Sequence, residues 1–166
     1  MDPTRGLILR SNRYLGTALV DSGLVSGSDL ETANDHFLPT LHDNQVRHPS
    51  LLHILLYDVQ ALPEEDLLSY QIEQAKIGLL DIRHYDPNVP AAVNLDACWA
   101  TWTLPYDCED RFIFFASAYF LSPPVREYWE KQFPDFVPVW HAAPLIDLQG
   151  ALENREAGGA SGGAGA

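Results

Sequence analysis

Residues 13–37 read RYLGTALVDSGLVSGSDLETANDHF, and residues 50–74 read SLLHILLYDVQALPEEDLLSYQIEQ. The second stretch repeats the apolar layout of the first at a distance of 37 residues. Identical residues recur at five pairs of positions: Leu15/Leu52, Leu19/Leu56, Asp21/Asp58, Asp29/Asp66 and Leu30/Leu67. Two glycines of the first copy, Gly16 and Gly23, become His53 and Gln60 in the second. The duplication predicts two similar helical lobes with a groove between them.

Each copy carries the apolar spacing and the end signals of short amphipathic helices. In the first copy, Gly23 permits a left-handed helix end, and Ser26 stands where it can cap the next helix. In the second copy, Pro63 and the acidic run EED open a helix at its first turn. We therefore predict an N-terminal extension over residues 1–11 and a duplicated helical subdomain over residues 12–77.

From about residue 78 the pattern changes from helical to strand-like. The segment DPNVP (86–90) predicts a turn, and ACWATWTLPY and RFIFFASAYF read as two strands. SPPVREYWEKQF reads as a helix capped by Ser122, FVPVWHAA as a strand, and LIDLQGALE as a last helix. The predicted fold is α+β: the duplicated helical subdomain, followed by a small β-β-α-β-α subdomain over residues 78–153. The Gly/Ala-rich residues 154–166 cannot bury enough apolar surface to fold, so we predict a disordered tail.

The composition excludes several classes of function. The net charge is −13 and only two lysines are present, so the chain lacks the basic stripe that binding to nucleic acid requires. The same charge disfavours docking onto anionic lipid. No stretch approaches the roughly 20 apolar residues of a spanning helix, which predicts no direct membrane insertion. The apolar run near the N-terminus is too short for a signal peptide, so we expect a cytoplasmic protein with Cys98 and Cys108 reduced.

No catalytic or metal-binding motif is found in the sequence. It contains no GxxxxGK[ST], GxSxG, HExxH or CxxC pattern. Four histidines crowd one region, but none form an HxxxH pair, so exposed histidines are favoured over a metal site: His36, His42, His48 and His53. The run Glu64-Glu65-Asp66 is read as stabilising a helix N-terminus rather than as general acid/base groups. We expect no enzyme and no cofactor, while a small enzyme with an unrecognised site stays open as a weaker hypothesis.

Three segments of the sequence together resemble the MshEN-type domain. They are the layout LGxxLVxxGLVxxxxL in residues 15–30, the second copy ending LPEEDLLxxxxxQ, and the later segment CWATWTLPYDCEDRFIFFASAYFLSPPVREYWEKQF. This is the N-terminal domain family of type II secretion and type IV pilus assembly ATPases, and it is also found joined to bacterial glycosyltransferases. The resemblance covers about residues 12–152. It implies a non-catalytic regulatory or docking domain that reaches the inner membrane only through a partner. In secretion ATPases of this family, the domain binds the cytoplasmic part of an inner-membrane platform protein.

The resemblance also implies a candidate ligand. In the family the two copies together hold cyclic di-GMP, and each motif opens Arg-Leu-Gly. A guanidinium can stack on guanine and neutralise phosphate, and glycines let backbone amides approach phosphate closely. Carried over to this chain, the implied ligand-binding positions are Arg13, Tyr14, Leu15, Gly16, Leu19, Val20, Gly23, Leu24, Leu52, His53 and Leu56.

The sequence departs from the family pattern where the ligand would be gripped. The motif arginine falls on Tyr14 in the first copy, with Arg13 one step earlier, and on Leu51 in the second. Each missing charge-assisted contact typically forfeits about 1.5–3 kcal/mol, so two losses weaken binding by roughly two to four decades. Two hypotheses follow. A docking domain for a protein of a secretion, pilus or polysaccharide-export assembly predicts a groove filled by Tyr14, Leu51 or His53. A cyclic di-GMP sensor predicts that Arg13 and the first-copy glycine amides converge on an open groove.

Overall fold

The structure is a computed structural model that describes residues 3–84, 88 and 93–165, with side chains as far as residue 158. The described helices are α1 (Pro3–Asp21), α2 (Gly27–Thr40), α3 (Leu51–His53), α4 (Glu64–Glu73), α5 (Leu95–Thr101), α6 (Pro123–Gln132) and α7 (Leu145–Gly165). Helix α3 continues as a π-helical turn (Ile54–Asp58), and a 3-10 turn (Ile82–His84) follows the first strand. The described strands are β1 (Gly78–Leu79), β2 (Thr103–Glu109), β3 (Phe112–Ser117) and β4 (Val137–Ala142).

The four strands form one mixed sheet in the order β1-β4-β3-β2. Strands β2 and β3 are an antiparallel hairpin, whereas β4 pairs in parallel with both β3 and β1. Phe115 of β3 lies in register with Trp140 of β4, and their rings stack at 4.4 Å between centroids. Trp129 of α6 and Phe133, which follows it, contact Phe115, so α6 covers this face of the sheet. The predicted α+β class, with helices first and strands and helices after them, is confirmed.

The backbone repeats at the spacing found in the sequence. Helix α1 ends at Asp21 and α2 begins at Gly27, while the π-helical turn ends at Asp58 and α4 begins at Glu64. Gly23 and its counterpart Gln60 both adopt left-handed backbone angles, with φ of 79° and 55°. A non-glycine residue costs roughly 1–2 kcal/mol in this region. The turn geometry is therefore kept in the second copy even though the glycine is lost.

Both predicted helix starts are observed, with one adjustment. The Ser26 side chain accepts a hydrogen bond from the backbone N–H of Asp29 at 3.1 Å and caps α2. Pro63 is the residue before α4 rather than its first helical residue. Three acidic residues fill the first turn of α4, where they favour the positive end of the helix dipole.

Two parts of the chain differ from the sequence-based expectation. The residues that we assigned to an N-terminal extension belong to the first helix as far as they are described, because α1 begins at Pro3 and buries Leu7 and Ser11. The start of the predicted first strand, ACWAT, is instead part of helix α5. The Asn94 side chain caps that helix by accepting from the backbone N–H groups of residues 96 and 97. All residues from 97 to 101 are buried, so no amphipathic period marks the helix in the sequence.

The C-terminal residues also differ from the expectation. Helix α7 continues to Gly165, where we predicted a disordered tail from residue 154. Leu148 and Leu152 of this helix are fully buried, and Glu156, one turn farther on, is hydrogen-bonded to Arg47 and Trp99. These contacts anchor α7 as far as Glu156, the last residue before its composition turns to glycine and alanine. Within the described chain, no helix is long and apolar enough to cross a membrane.

One hydrophobic core joins the helical and the sheet-containing parts, since α1 packs against α5 and α6. The division into two subdomains between residues 77 and 78 therefore stays a prediction. The predicted turn at 86–90 lies outside the described residues except Asn88, whose N–H donates to the carbonyl of Tyr106 at 2.8 Å.

Candidate functional site

The implied ligand-binding positions divide between the core and the surface. Four leucines are buried in the core: Leu15, Leu19, Leu52 and Leu56. Gly16 is also buried, while Val20 and Leu24 are half-buried. The exposed members are Arg13, Tyr14, Gly23 and His53. The structure thus places the fold-forming positions inside and leaves four of the set fully on the surface.

Gly16 serves close packing between the two copies. A Cβ atom built at this position would lie 2.8 Å from Leu30 Cδ1 and 3.3 Å from Leu51 Cδ2. Leu30 belongs to the first copy and Leu51 to the second, so both lobes press on the glycine. These two side chains leave no room for a ligand atom on the side of Gly16 where a Cβ would lie.

Leu51 stands where the second motif would carry its arginine. It is only 1% exposed, and its backbone N–H donates to the Asn12 side-chain oxygen at 3.0 Å. A guanidinium at this position would be buried without a carboxylate partner, which is strongly unfavourable. The substitution of leucine for the motif arginine therefore fits a closed, apolar contact between the copies.

No hydrogen bond or ring contact joins Arg13 or Tyr14 of the first copy to His53 of the second among the described residues. His53 packs edge-on against Tyr57 at 4.9 Å between ring centroids. Tyr14 is 44% exposed on α1. Convergence of this set on one ligand site therefore stays a prediction.

A buried polar cluster that sequence reasoning missed ties the two copies to the sheet-containing part. The Tyr119 hydroxyl lies 2.7 Å from the Asn12 side-chain oxygen and 2.7 Å from Ser50 Oγ, and it accepts from the backbone N–H of Leu52 at 3.3 Å. Burial raises the pKa of Tyr119, so the hydroxyl keeps its proton as a donor. Apolar periodicity gives no signal for this cluster, because its three side chains are polar and lie far apart along the chain.

A second polar cluster holds the loop between the copies to the last helix. Glu156 of α7 accepts from Arg47 and, at 3.0 Å, from the indole N–H of Trp99. The His48 ring stacks on Trp99 at 3.6 Å with an interplanar angle of 3°. Burial, followed by the charge of Arg47, lowers the pKa of His48.

A cavity of about 110 Å³ lies beside this cluster. Its lining residues are Thr4, Ile8, Arg47, His48, Pro49, Asp96, Trp99 and Ala100. Ligand pockets for drug-sized molecules are usually about 300–1,000 Å³, so this cavity is too small for a cyclic dinucleotide.

The remaining histidines and cysteines form no shared centre. His42 lies beside Arg5, with 3.3 Å between the guanidinium and Nδ1, and His141 is hydrogen-bonded to the Tyr106 hydroxyl at 3.1 Å. Both cysteines are free thiols. Among the residues that the structure describes, no group of three or more histidine, cysteine or acidic side chains is placed to hold a metal ion.

Comparison with known proteins supports the fold. No family model matches the chain, and no curated protein matches it. A structure of MshE with cyclic di-GMP is 19% identical, with a TM-score of 0.54, covering 84% of this chain and 96% of that one. The N-terminal domain of XpsE is 15% identical, with a TM-score of 0.56, covering 86% and 94%. A second crystal form of that domain gives 15% identity and a TM-score of 0.54, covering 82% and 90%. The chain therefore has the fold of the MshE and XpsE domains, as its resemblance to the MshEN type implied.

Proposed function

We propose that this chain is a non-catalytic regulatory or docking domain that engages a protein of a bacterial envelope machine. The machine would be a secretion system, a pilus assembly or a surface-polysaccharide glycosyltransferase system, and the domain would act in the cytoplasm, at the inner membrane through its partner. The likeness to the XpsE N-terminal domain supports this class of role. The packing between the two repeat copies is the observation that favours docking over ligand sensing.

That packing supports docking because it leaves little room for a ligand at the junction between the copies. Leu51 and Leu30 press on Gly16 from opposite copies, and Leu51 occupies the position of a motif arginine. The leucines that build the lobes are retained, while the motif arginines of both copies and the glycines of the second copy are replaced. A scaffold that keeps its core and loses its ligand contacts is what a docking domain requires.

The alternative is a cyclic di-GMP sensor that uses the first motif in a modified way. Two observations favour it: Arg13 is exposed on α1 next to the motif position, and Gly23 is exposed with a left-handed backbone. The likeness to MshE, whose structure contains cyclic di-GMP, adds to this alternative.

Calorimetric titration with cyclic di-GMP separates the two. We expect no saturable heat with the wild-type chain at ligand concentrations up to about 1 mM, as the loss of two charge-assisted contacts predicts. The sensor alternative predicts micromolar binding that Arg13→Ala abolishes. Arg10→Ala is the matched control, since Arg10 is also exposed on α1. Micromolar binding that survives Arg10→Ala but not Arg13→Ala would overturn the docking proposal.

A further inference from the structure

The sheet has one covered face and one face that is open at one end. Ile113 and Phe115 point toward α6, as does Trp140. Because side chains alternate along a strand, Phe112 and Phe114 of β3 lie on the opposite face, together with their register partners Val137 and Val139 of β4.

Exposure on this second face rises toward the β2–β3 turn. Phe112 is 38% and Val137 42% exposed, and Phe114 and Val139 are half-buried. At the other end Ala116 is fully buried, beside the hydrogen-bonded His141. The four side chains Phe112, Phe114, Val137 and Val139 form one continuous apolar area, which we call the hairpin surface. Single exposed apolar residues are ordinary on protein surfaces, whereas a contiguous apolar area is a candidate interaction site.

Acidic residues border the hairpin surface. Glu109 is the register partner of Phe112, Asp110 occupies the turn between β2 and β3, and Asp135 stands two residues before Val137. All three are exposed, and none takes part in an ion pair within the part of the chain that the structure describes. Arg111 is the one basic residue in this turn. The border is therefore net negative on a chain whose net charge is −13.

We propose that the hairpin surface docks a partner helix that presents apolar side chains flanked by lysine or arginine. The inference rests on the proposed docking function and adds where the partner binds and what chemistry it carries. A helix suits the site because the open area is a face of the sheet, with apolar rows on two neighbouring strands. A second copy of this chain is disfavoured, because it would bring two acidic borders and two net charges of −13 together.

The test uses two synthetic amphipathic peptides of about 18 residues, long enough for five helical turns, with the same apolar face. One carries lysines beside that face and the other carries glutamates. Each is titrated into the isotope-labelled chain at about 150 mM salt, where long-range attraction is screened, and amide signals are followed by NMR. We expect the lysine peptide to shift the signals of residues 112–114 and 137–139 and the glutamate peptide to leave them unchanged.

Two pairs of variants make the test specific. Phe112→Ser should weaken binding of the lysine peptide by about tenfold or more, whereas Leu9→Ser, a change on α1 at the same 38% exposure, should not. Glu109→Gln with Asp135→Asn should weaken binding, whereas Glu31→Gln with Asp35→Asn on α2 removes the same charge and should not. Circular dichroism checks that each variant is folded.

Several results would overturn this inference. They are signal shifts elsewhere on the chain, equal effects of Phe112→Ser and Leu9→Ser, equal effects of the two charge-removing pairs, or no binding of the lysine peptide. A concentration-dependent dimer that Val137→Ser disperses would replace the basic helix with a second copy. The calorimetric titration with cyclic di-GMP tests the proposed function separately. If the chain binds cyclic di-GMP and also binds the lysine peptide at the hairpin surface, the preference for docking over sensing is overturned, whereas the hairpin surface stands as a docking site.

Discussion

Replacing Tyr119 by phenylalanine removes one hydroxyl from the cluster that joins the repeat to the sheet-containing part. That hydroxyl donates its hydrogen to the Asn12 oxygen at 2.7 Å and accepts from Ser50 Oγ at 2.7 Å and from the Leu52 N–H at 3.3 Å. The ring itself is fully buried, so phenylalanine keeps the same packing. The variant therefore isolates the hydrogen bonds from the apolar contacts.

The cost follows from which groups lose their partners. The Asn12 oxygen still accepts from the Leu51 N–H at 3.0 Å, so it stays satisfied. The Ser50 hydroxyl hydrogen and the Leu52 N–H, which lies in the first turn of α3, lose their acceptor. Each buried donor left unpaired costs about 1–3 kcal/mol, so for two donors we expect Tyr119→Phe to lower the free energy of unfolding by about 2–6 kcal/mol.

Urea or guanidinium unfolding, followed by circular dichroism, measures this change. Tyr14→Phe is the matched control, because Tyr14 is 44% exposed, and its cost should stay within about 0.5 kcal/mol. Adding Ser50→Ala to Tyr119→Phe should cost less than Ser50→Ala alone, because the hydroxyl is already unpaired. Equal costs for Tyr119→Phe and Tyr14→Phe, or strict additivity with Ser50→Ala, would refute this account of the cluster.

Three further predictions follow from the local environments of titratable groups. Glu156→Gln should speed amide exchange in the last turns of α7 several-fold, because Arg47 loses its ion pair, whereas Glu153→Gln should leave exchange unchanged. Burial raises the pKa of Cys98 to about 12, so iodoacetamide at about pH 8 should label Cys98 at least a hundredfold more slowly than the half-exposed Cys108, as peptide mass spectrometry would show. Burial lowers the pKa of His48 and of His141 below 6.5, so the folded state binds fewer protons there than the unfolded chain. The stabilisation linked to these two histidines should therefore be fully present above pH 6.5 and be lost as the pH drops below it, so that the free energy of unfolding falls. A His48→Gln, His141→Gln double variant should show a flatter pH profile of that free energy.

The repeat could be read from the sequence because backbone geometry and apolar burial both follow local signals. The spacing of the leucines and the end signals at Gly23 and Ser26 placed the first-copy turn, and the second copy repeats it at Gln60. Glycine is not required there, since the surrounding helices fix the same left-handed angle at a residue that does not favour it. The leucine spacing and the helix-end signals therefore predicted the repeated lobes, although the residue at the turn differs between the two copies.

Three features could not be predicted from the sequence. Helix α5 is buried at every residue from 97 to 101, so no apolar period separates it from a strand. The C-terminal extension of α7 depends on Glu156 meeting Arg47 and Trp99, which lie far away along the chain. The sequence left Tyr14, Leu51 and His53 as alternatives for filling the groove, and only the contact of Leu51 with Gly16 across the two copies decides among them. Each of these is a long-range contact, which a local pattern does not encode.

An NMR titration of the labelled chain with cyclic di-GMP tests the central claim most directly, because it reports on each backbone amide around the junction between the copies. The packing of Leu51 and Leu30 on Gly16 predicts that the signals of residues 13–24 and 50–56 stay unchanged as the ligand is raised to about 1 mM, a concentration that would detect even weak binding. Saturable shifts centred on Gly16, Gly23 and Leu51 would show that the junction opens for the nucleotide, and would contradict the account of the repeat as a closed scaffold for docking.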